Sequence, residues 1–208
     1  YDVNISAIDT SKIFIDKNLK YLADKAKISS SAKNEIYNRI QFITDITKCT
    51  GEIIIEAIVE NEEAKVSLFN ELAKYNNEEV IFATNTSSLS VSAIQEKIIF
   101  PQRVVGMHFF NPAYVMKLVE VVKGNQTRDE IANIIFDICK QMGNEPVICK
   151  DAPGFIVNRI ARHYYLESLK IVEEGIASYE DVDTILEATG FKMGPFKLMD
   201  LIGMDINL

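Results

Sequence analysis

The sequence predicts an α/β protein, with a mostly parallel β-sheet in residues 1–150 followed by an all-α domain in residues 151–208. Short apolar runs alternate with amphipathic runs of about 10 to 15 residues up to residue 150, which indicates βαβ units and a parallel sheet. From Pro153 onward the apolar spacing is helical only, and this change places a domain boundary near Asp151. With 208 residues, 48% of them hydrophobic, the chain can form one large domain or one and a half.

The N-terminal segment predicts one strand followed by two helices. Residues 3–9 form an apolar run typical of a strand. Apolar residues near helical spacing over 11–27 predict an amphipathic helix, with Thr10 or Ser11 as its cap. A second helix over 29–40 begins in a run of serines, which are favoured at helix N-termini.

The remaining elements follow from the same two signals. Short runs rich in Val and Ile predict buried strands, and apolar residues at helical spacing predict helices. The predicted strands are 53–59, 80–83, 103–110, 117–123 and 146–149. The predicted helices are 61–75, 91–98, 128–142, 154–175 and 179–189.

Composition excludes several classes of protein. The net charge of -8 argues against a nucleic-acid partner, whose binding leaves a basic patch. The most apolar run, residues 53–59, is far too short to span a membrane and contains a charge. The three cysteines have no zinc-binding spacing, so we predict no metal site and a reducing compartment. We predict the cytoplasm, with the mitochondrial matrix as the alternative if a targeting peptide precedes Tyr1.

Polar residues follow four of the predicted strands. In open α/β sheets, ligands bind beyond the carboxyl ends of the strands. An acid at the end of the second strand of a dinucleotide-binding unit accepts hydrogen bonds from the adenosine ribose, and Asp9 is the candidate, with helix capping as the alternative. The polar residues at the predicted strand ends are Asp9, Glu60, Asn85, Ser87, His108 and Asn111.

His108 and Glu120 are each a polar residue inside an apolar strand. If the two strands pair as an antiparallel hairpin about a turn centred near Tyr114, both residues are equidistant from the turn and face each other. A carboxylate beside a histidine orients the ring and stabilises the imidazolium, which is the usual arrangement of a general base. The pairing also gives the buried acid the partner that it requires. We therefore predict a catalytic dyad, with a satisfied core histidine as the alternative.

Two other residues carry weaker signals. His163, the second histidine, lies on a predicted helix with no acid in register, so we interpret it as a surface or interdomain residue. Ser87 lacks the G-x-S-x-G surroundings of a nucleophile. A hydrogen bond from its hydroxyl to a substrate oxygen, or a cap for the helix over 91–98, explains it better.

Five longer motifs stand in a fixed order along nearly the whole chain. They are NTSSL at 85–89, GMHFFNPA at 106–113, MKLVEVV at 116–122, DAPGFIVNR at 151–159 and MGPF at 193–196. Together they resemble the L-3-hydroxyacyl-CoA dehydrogenases, closest to the 3-hydroxybutyryl-CoA type. The resemblance implies a Rossmann-like sheet domain, NAD as cofactor, an acyl-CoA substrate and a homodimer in the complete protein.

The resemblance also implies roles for individual residues. His108 would take the proton from the 3-hydroxyl group, with Glu120 as its partner, while Ser87 and Asn158 position the substrate. Asp9 would hold the adenosine ribose. The other residues implied at the NAD site are Glu60, Lys65, Asn85 and Asn111, of which Lys65 would also approach the CoA side.

One departure from the family pattern concerns the cofactor. The family carries a first strand and a G-x-G-x-x-G loop before the segment that begins at Tyr1, and no such motif occurs in this sequence. We expect that strand and loop to be missing, and the helical domain to continue beyond Leu208. Two other hypotheses therefore stay open: a dehydrogenase of a hydroxy acid or sugar acid without CoA, and a non-catalytic chain.

Overall fold

A computed structural model describes residues 1–203 of the chain. Its centre is a five-stranded sheet in which the strands lie in sequence order. The β1–β2, β2–β3 and β4–β5 pairs are parallel and the β3–β4 pair is antiparallel, so the predicted mostly parallel sheet is confirmed. The strands are β1 (Ile53–Glu56), β2 (Ile81–Thr84), β3 (Val104–Phe109), β4 (Leu118–Lys123) and β5 (Glu145–Lys150).

Helices cover the sheet and form the C-terminal part of the chain. Those before residue 150 are α1 (Ile5–Asp24), α2 (Ser30–Asn38), α3 (Glu62–Leu72), α4 (Val91–Gln95) and α5 (Asp129–Gln141). Those after it are α6 (Val157–Glu173), α7 (Tyr179–Ala188) and α8 (Pro195–Ile202). Two short 3-10 turns occur at Ile46–Lys48 and Pro101–Arg103. Positions 204–208 of the predicted helical domain lie outside the described residues. Among residues 1–203, none of the helices combines the length and apolar character that a membrane crossing requires.

Each face of the sheet has its own apolar core. Successive side chains of a strand point to opposite faces, so residues two apart share a face. One face packs against α3 and α4 through Ile54, Phe69, Leu72, Phe82, Val91, Ile94, Val104 and Val122. The other face packs against α5 through Ile81, Ala83, Val105, Met107, Val121, Ile131 and Ile135.

The same alternation places four buried polar residues on the α3 and α4 face. Glu56 lies two residues beyond Ile54, and Thr84 lies two beyond Phe82. His108 and Glu120 follow the same rule on β3 and β4, from Val104 and Val122. Chemistry-bearing side chains from four strands therefore share one face of the sheet.

The predicted strand over 3–9 is wrong. Residues 5–9 form the start of α1, because the Asn4 side chain caps the helix by accepting the backbone N–H of Ser6. Ile8 and Leu19 then form the buried side of a 20-residue helix. The predicted cap at Thr10 or Ser11 is wrong for the same reason, since both hydroxyls donate to carbonyls four residues back inside the helix.

The C-terminal helices differ from the prediction at two points. The helix predicted from 154 begins at Val157, because Gly154 and Phe155 have φ values of 70° and 46°, which are left-handed and not helical. Helix α8 was not predicted. Pro195 stands in its first turn, and the Asp183 carboxylate of α7 accepts the backbone N–H groups of Phe196 and Lys197.

Candidate active site

His108 and Glu120 form a buried pair, as the hairpin symmetry predicts. The two residues are directly opposite in the β3–β4 register, and 2.7 Å separates His108 Nδ1 from Glu120 Oε2. Their side chains are 4% and 1% exposed. An ionised carboxylate can only accept, so Nδ1–H donates and the neutral ring keeps a lone pair on Nε2. The pair therefore has the geometry of a general base with Nε2 as its reactive atom.

The second oxygen of Glu120 joins the sheet to the C-terminal helices. Glu120 Oε1 accepts the backbone N–H of Ile156 at 2.9 Å and that of Val157 at 3.0 Å, where α6 begins. Burial opposes ionisation of this carboxyl, but the hydrogen bonds from His108 and from these two N–H groups outweigh it and lower the pKa of Glu120. One carboxylate thus orients the histidine and anchors the following helix.

Two aromatic rings enclose the imidazole. The Phe110 ring lies with its centroid 4.5 Å from that of His108, and the Phe155 ring at 5.7 Å in an edge-on arrangement. Phe155 also belongs to the apolar core that covers this face of the sheet. The rings cover most of the histidine and strengthen its hydrogen bond to Glu120, because the local dielectric is low.

Ser87 and Asn158 meet beside the dyad. Asn158 Nδ2 donates to the Ser87 backbone carbonyl at 3.3 Å, and the contact is exposed. Asn158 directly follows Val157, which binds Glu120. On the other side, Asn85 Oδ1 accepts the backbone N–H of Phe109, the residue after His108, at 2.9 Å. An accessible hydroxyl and an accessible side-chain amide therefore lie at the edge of the buried base.

Glu60 fixes the loop that carries Ser87. Its Oε1 accepts the Thr86 hydroxyl, the backbone N–H of Ser87 at 2.8 Å and that of Ser88 at 3.0 Å. Burial raises the pKa of this carboxyl, but the hydrogen bonds from Thr86, Ser87 and Ser88, with Lys65 nearby, lower it from 4.5 to about 2. Glu60 is consequently an anionic anchor for residues 86–88.

Lys65 lies beneath this loop between two carboxylates. Its Nζ is 2.7 Å from Glu56 Oε1 and 3.3 Å from Glu60 Oε2, and its side chain is 1% exposed. The structure therefore directs the ammonium into the protein, towards acids of β1 and of the turn that follows it. Its predicted contacts with NAD and CoA remain predictions.

Asn111 lies apart from this network, in the loop between β3 and β4. It is exposed, and its peptide bond to Pro112 is cis. The loop follows the carboxyl end of β3, the edge of the sheet at which Asn85 and Glu60 also lie. The structure thus brings His108, Glu120, Ser87, Asn158, Asn85, Glu60 and Lys65 together and leaves Asn111 at the accessible rim.

Comparisons with known proteins match this architecture. Residues 1–152 match the family model of the 3-hydroxyacyl-CoA dehydrogenase NAD-binding domain, and residues 154–208 match that of the C-terminal domain. The chain belongs to the 3-hydroxyacyl-CoA dehydrogenase family. The resemblance inferred from the five motifs is therefore confirmed.

Individual relatives support the family assignment. The 3-hydroxyadipyl-CoA dehydrogenase of Escherichia coli (strain K12) is 40% identical over 100% of this chain and 44% of that protein. The mitochondrial hydroxyacyl-coenzyme A dehydrogenase of Homo sapiens is 41% identical over 89% of this chain and 60% of that protein. A crystal structure of 3-hydroxybutyryl-CoA dehydrogenase from Escherichia coli K12 superposes with a TM-score of 0.96 at 40% identity, covering 100% of this chain and 44% of that one. The chain thus spans about half the length of the curated relatives it matches.

Asp9 does not stand at a strand end, so the prediction that places it there is wrong. It lies in the second turn of α1, with its side chain 59% exposed and paired to Lys12 at 3.0 Å. The error has a local cause, since the apolar run over 3–9 fits a strand as well as a helix and Asn4 caps a helix there. His163 lies exposed on α6, as predicted.

Asp2 is an exposed acid near the start of α1 that the sequence analysis did not name. It comes just before the Asn4 cap, its backbone N–H donates to the Ile43 carbonyl, and its carboxylate accepts the Asn4 N–H at 2.7 Å. The sequence signal that could have identified it was the Asn4 cap, which starts the helix at Ile5 and not at residue 11.

We expect acid to destabilise the protein partly through Glu60. Its lowered pKa means that the unfolded chain binds more protons, so its contribution to stability is present above pH 4.5 and is lost as the pH falls towards about 2. Denaturant unfolding should therefore show that the free energy of unfolding decreases less between about pH 5 and about pH 3 in Glu60→Gln than in the wild type. Glu63→Gln, in the first turn of α3, is the control. Equal slopes for wild type and Glu60→Gln would contradict the assignment.

Proposed function

We propose that the protein carrying this chain interconverts L-3-hydroxyacyl-CoA and 3-ketoacyl-CoA with NAD as the hydride carrier. The observation that carries the proposal is the 2.7 Å His108–Glu120 hydrogen bond, which leaves Nε2 as a base beside the accessible Ser87 and Asn158. The relatives' names differ in their acyl group, adipyl or butyryl, but share the 3-hydroxyacyl-CoA unit. A 3-hydroxyacyl thioester is therefore the substrate class we assign, with 3-hydroxybutyryl-CoA as its first candidate.

Each residue of the site has a separate task in this reaction. His108 Nε2 takes the proton of the 3-hydroxyl group during oxidation and returns it during reduction. Glu120 stabilises the imidazolium that forms, because its carboxylate lies against Nδ1–H. The Ser87 hydroxyl and the Asn158 amide hydrogen-bond the substrate oxygens, which aligns C3 for hydride transfer.

The residues at the carboxyl ends of β1 to β3 fit the nicotinamide end of NAD. Exposed Ile58 and Val59 offer an apolar surface for a flat ring, and Glu60 and the rim residue Asn111 offer polar contacts. The bound nicotinamide supplies the hydride-accepting carbon. Asn85 and Lys65 support this surface from beneath through their bonds to Phe109 and Glu60.

We assign the adenosine ribose contact to Asp2 in place of Asp9. Asp2 lies just before the Asn4 cap of α1, its backbone N–H donates to the Ile43 carbonyl, and the residue is exposed. A carboxylate at this position accepts both ribose hydroxyls and repels a 2′-phosphate, which favours NAD over NADP.

We also propose that the helical part mediates a homodimer. Its helices expose large apolar side chains, among them Ile160, Ile185 and Leu201, each at least 64% exposed. These side chains lie on three helices that contact one another, and an exposed apolar surface there fits a protein–protein interface. We also propose that the domain boundary lies near Asp151, between β5 and α6.

A substrate panel tests the proposed function. The protein, expressed from its complete gene, is assayed for NADH oxidation with acetoacetyl-CoA, free acetoacetate and a keto sugar acid. We expect kcat/KM to be highest for the CoA ester. Equal or higher kcat/KM for a free acid would favour the dehydrogenase of a non-CoA substrate, and no turnover of any of them would favour the non-catalytic chain.

A further inference from the structure

Glu56 is a fully buried carboxylate at the end of β1 that the reaction does not use directly. Its Oε1 accepts Lys65 Nζ at 2.7 Å and the backbone N–H of Ile58 at 2.7 Å. Its Oε2 accepts the Thr84 hydroxyl at 2.7 Å. The side chains of Glu56 and Lys65 are 0% and 1% exposed. Both oxygens of this buried acid are thus engaged.

Stability alone does not explain an ion pair at this depth. Burying two charges is costly, and apolar side chains of similar volume often stabilise such a position equally well or better. Ile54, two residues earlier on the same face, fills its site with an apolar side chain. Glu56 therefore has a role other than stability, and the contacts of its carboxylate indicate which role.

Two routes lead from Glu56 to the loop that carries Ser87. The first is ionic: Lys65 bridges Glu56 and Glu60, and Glu60 accepts the backbone N–H groups of Ser87 and Ser88. The second runs through the backbone, because the Ile58 N–H bond to Glu56 fixes the turn that leads into Glu60. Both routes end at the Glu60 carboxylate.

We propose that Glu56 is a positioning residue for Ser87, acting through Lys65 and Glu60 to hold residues 86–88 against the dyad. This inference rests on the proposed function. Glu56 fixes the ammonium, the ammonium fixes Glu60, and Glu60 fixes the backbone at Ser87. The Asn158 side chain then contacts the Ser87 carbonyl from the helical part, so the loop is held from both sides.

Glu56→Gln tests the proposal while keeping the size and shape of the side chain. The amide has one acceptor oxygen in place of two and carries no charge, so Lys65 shifts towards Glu60 and the loop is displaced. Small displacements of substrate-positioning groups cost up to about 100-fold in rate. We expect kcat/KM for acetoacetyl-CoA to fall about 10- to 100-fold, with the larger part of the change in kcat, because Ser87 aligns the substrate for hydride transfer. Glu52→Gln, at an exposed position just before β1, is the matched control and should match the wild type.

A double-mutant cycle separates positioning from a general structural role. If Glu56 acts through Ser87, then Glu56→Gln has little further effect on kcat/KM in a Ser87→Ala background, since the group that it positions is already gone. Additive losses would overturn the proposal, and so would a wild-type kcat/KM in Glu56→Gln. If Glu56→Gln does not fold, the Glu56→Gln/Lys65→Met variant, which removes both buried charges, takes its place in the cycle. Additive losses or a wild-type kcat/KM would overturn the proposal there in the same way.

Failure of this inference differs from failure of the proposed function. If the wild-type protein turns over acetoacetyl-CoA and the cycle is additive, the function stands and the role of Glu56 is wrong. If the wild type turns over no 3-ketoacyl-CoA, the proposed function is wrong, and the role of Glu56 is overturned with it.

Discussion

Replacing Glu120 with glutamine should lower kcat by about 10² to 10⁴, no more than the loss of His108 itself, while leaving the protein folded. The amide oxygen can still accept the two N–H groups at the start of α6, which leaves the amide NH₂ to face His108. An NH₂ group donates, so the ring must accept at Nδ1 and carry its proton on Nε2. The imidazole is then in the wrong tautomer, and Nε2 cannot take a proton from the substrate.

A comparison of Glu120→Ala with Glu120→Gln separates the two tasks of this carboxylate. Glu120→Ala removes the acceptor for the N–H groups of Ile156 and Val157 as well as the partner of His108. We expect a lower free energy of unfolding, by about 1–3 kcal/mol for each N–H left without a partner, in addition to the loss of activity. Glu145→Gln, at an exposed position of the neighbouring strand, is the control. Wild-type kcat in Glu120→Gln would remove the dyad from the mechanism.

His108→Gln should lower kcat by about 10² to 10⁴, the range that general-base catalysis supplies. Glutamine fits the space between the two phenylalanine rings and can donate to Glu120, but it has no basic nitrogen for the 3-hydroxyl proton. Steady-state assays with acetoacetyl-CoA and NADH measure the loss, and circular dichroism and thermal melting check the fold.

The chain contains its own control for this variant. His163 is the only other histidine in the sequence and lies exposed on α6, away from the β3–β4 pair. His163→Gln should retain the wild-type kcat. A comparable loss in both variants would indicate that the effect of His108→Gln is not specific to the dyad.

The pairing of His108 with Glu120 could be predicted from sequence because it depends on local geometry. Two apolar strands joined by a short loop form a hairpin, and residues equidistant from the turn must face each other. The register confirms the pairing of His108 with Glu120. The sheet class was predictable for a similar reason, since strand and helix periodicity are properties of short segments.

The prediction of the first strand failed because its signal was ambiguous at short range. The apolar positions of residues 3–9 fit both a strand and the buried side of a helix, and the Asn4 cap decides for the helix. That error placed Asp9 at a strand end among the candidate cofactor residues and passed over Asp2, which lies just before the cap. Helix α8 was missed for a different reason, because its start is capped by Asp183 from another helix, a contact that no short sequence window reveals.

The contacts of the network beneath Ser87 could not be predicted from the sequence, although the resemblance names Glu60 and Lys65 among the site residues. Glu56, Lys65 and Thr84 lie on three elements, and their contacts depend on how α3 packs against the sheet. A buried lysine is also contrary to the usual expectation for its residue type. Only the tertiary structure shows that the ammonium of Lys65 is directed at two carboxylates.

Single-turnover kinetics of His108→Gln test the central claim, that His108 is the proton-transfer group, most directly. The complete protein is mixed rapidly with NADH and saturating acetoacetyl-CoA, with enzyme in excess over NADH, and NADH absorbance is followed. We predict hydride transfer at least about 100-fold slower than in the wild type, with an unchanged Kd for acetoacetyl-CoA. A single-turnover rate within about threefold of the wild type would contradict the assignment of His108.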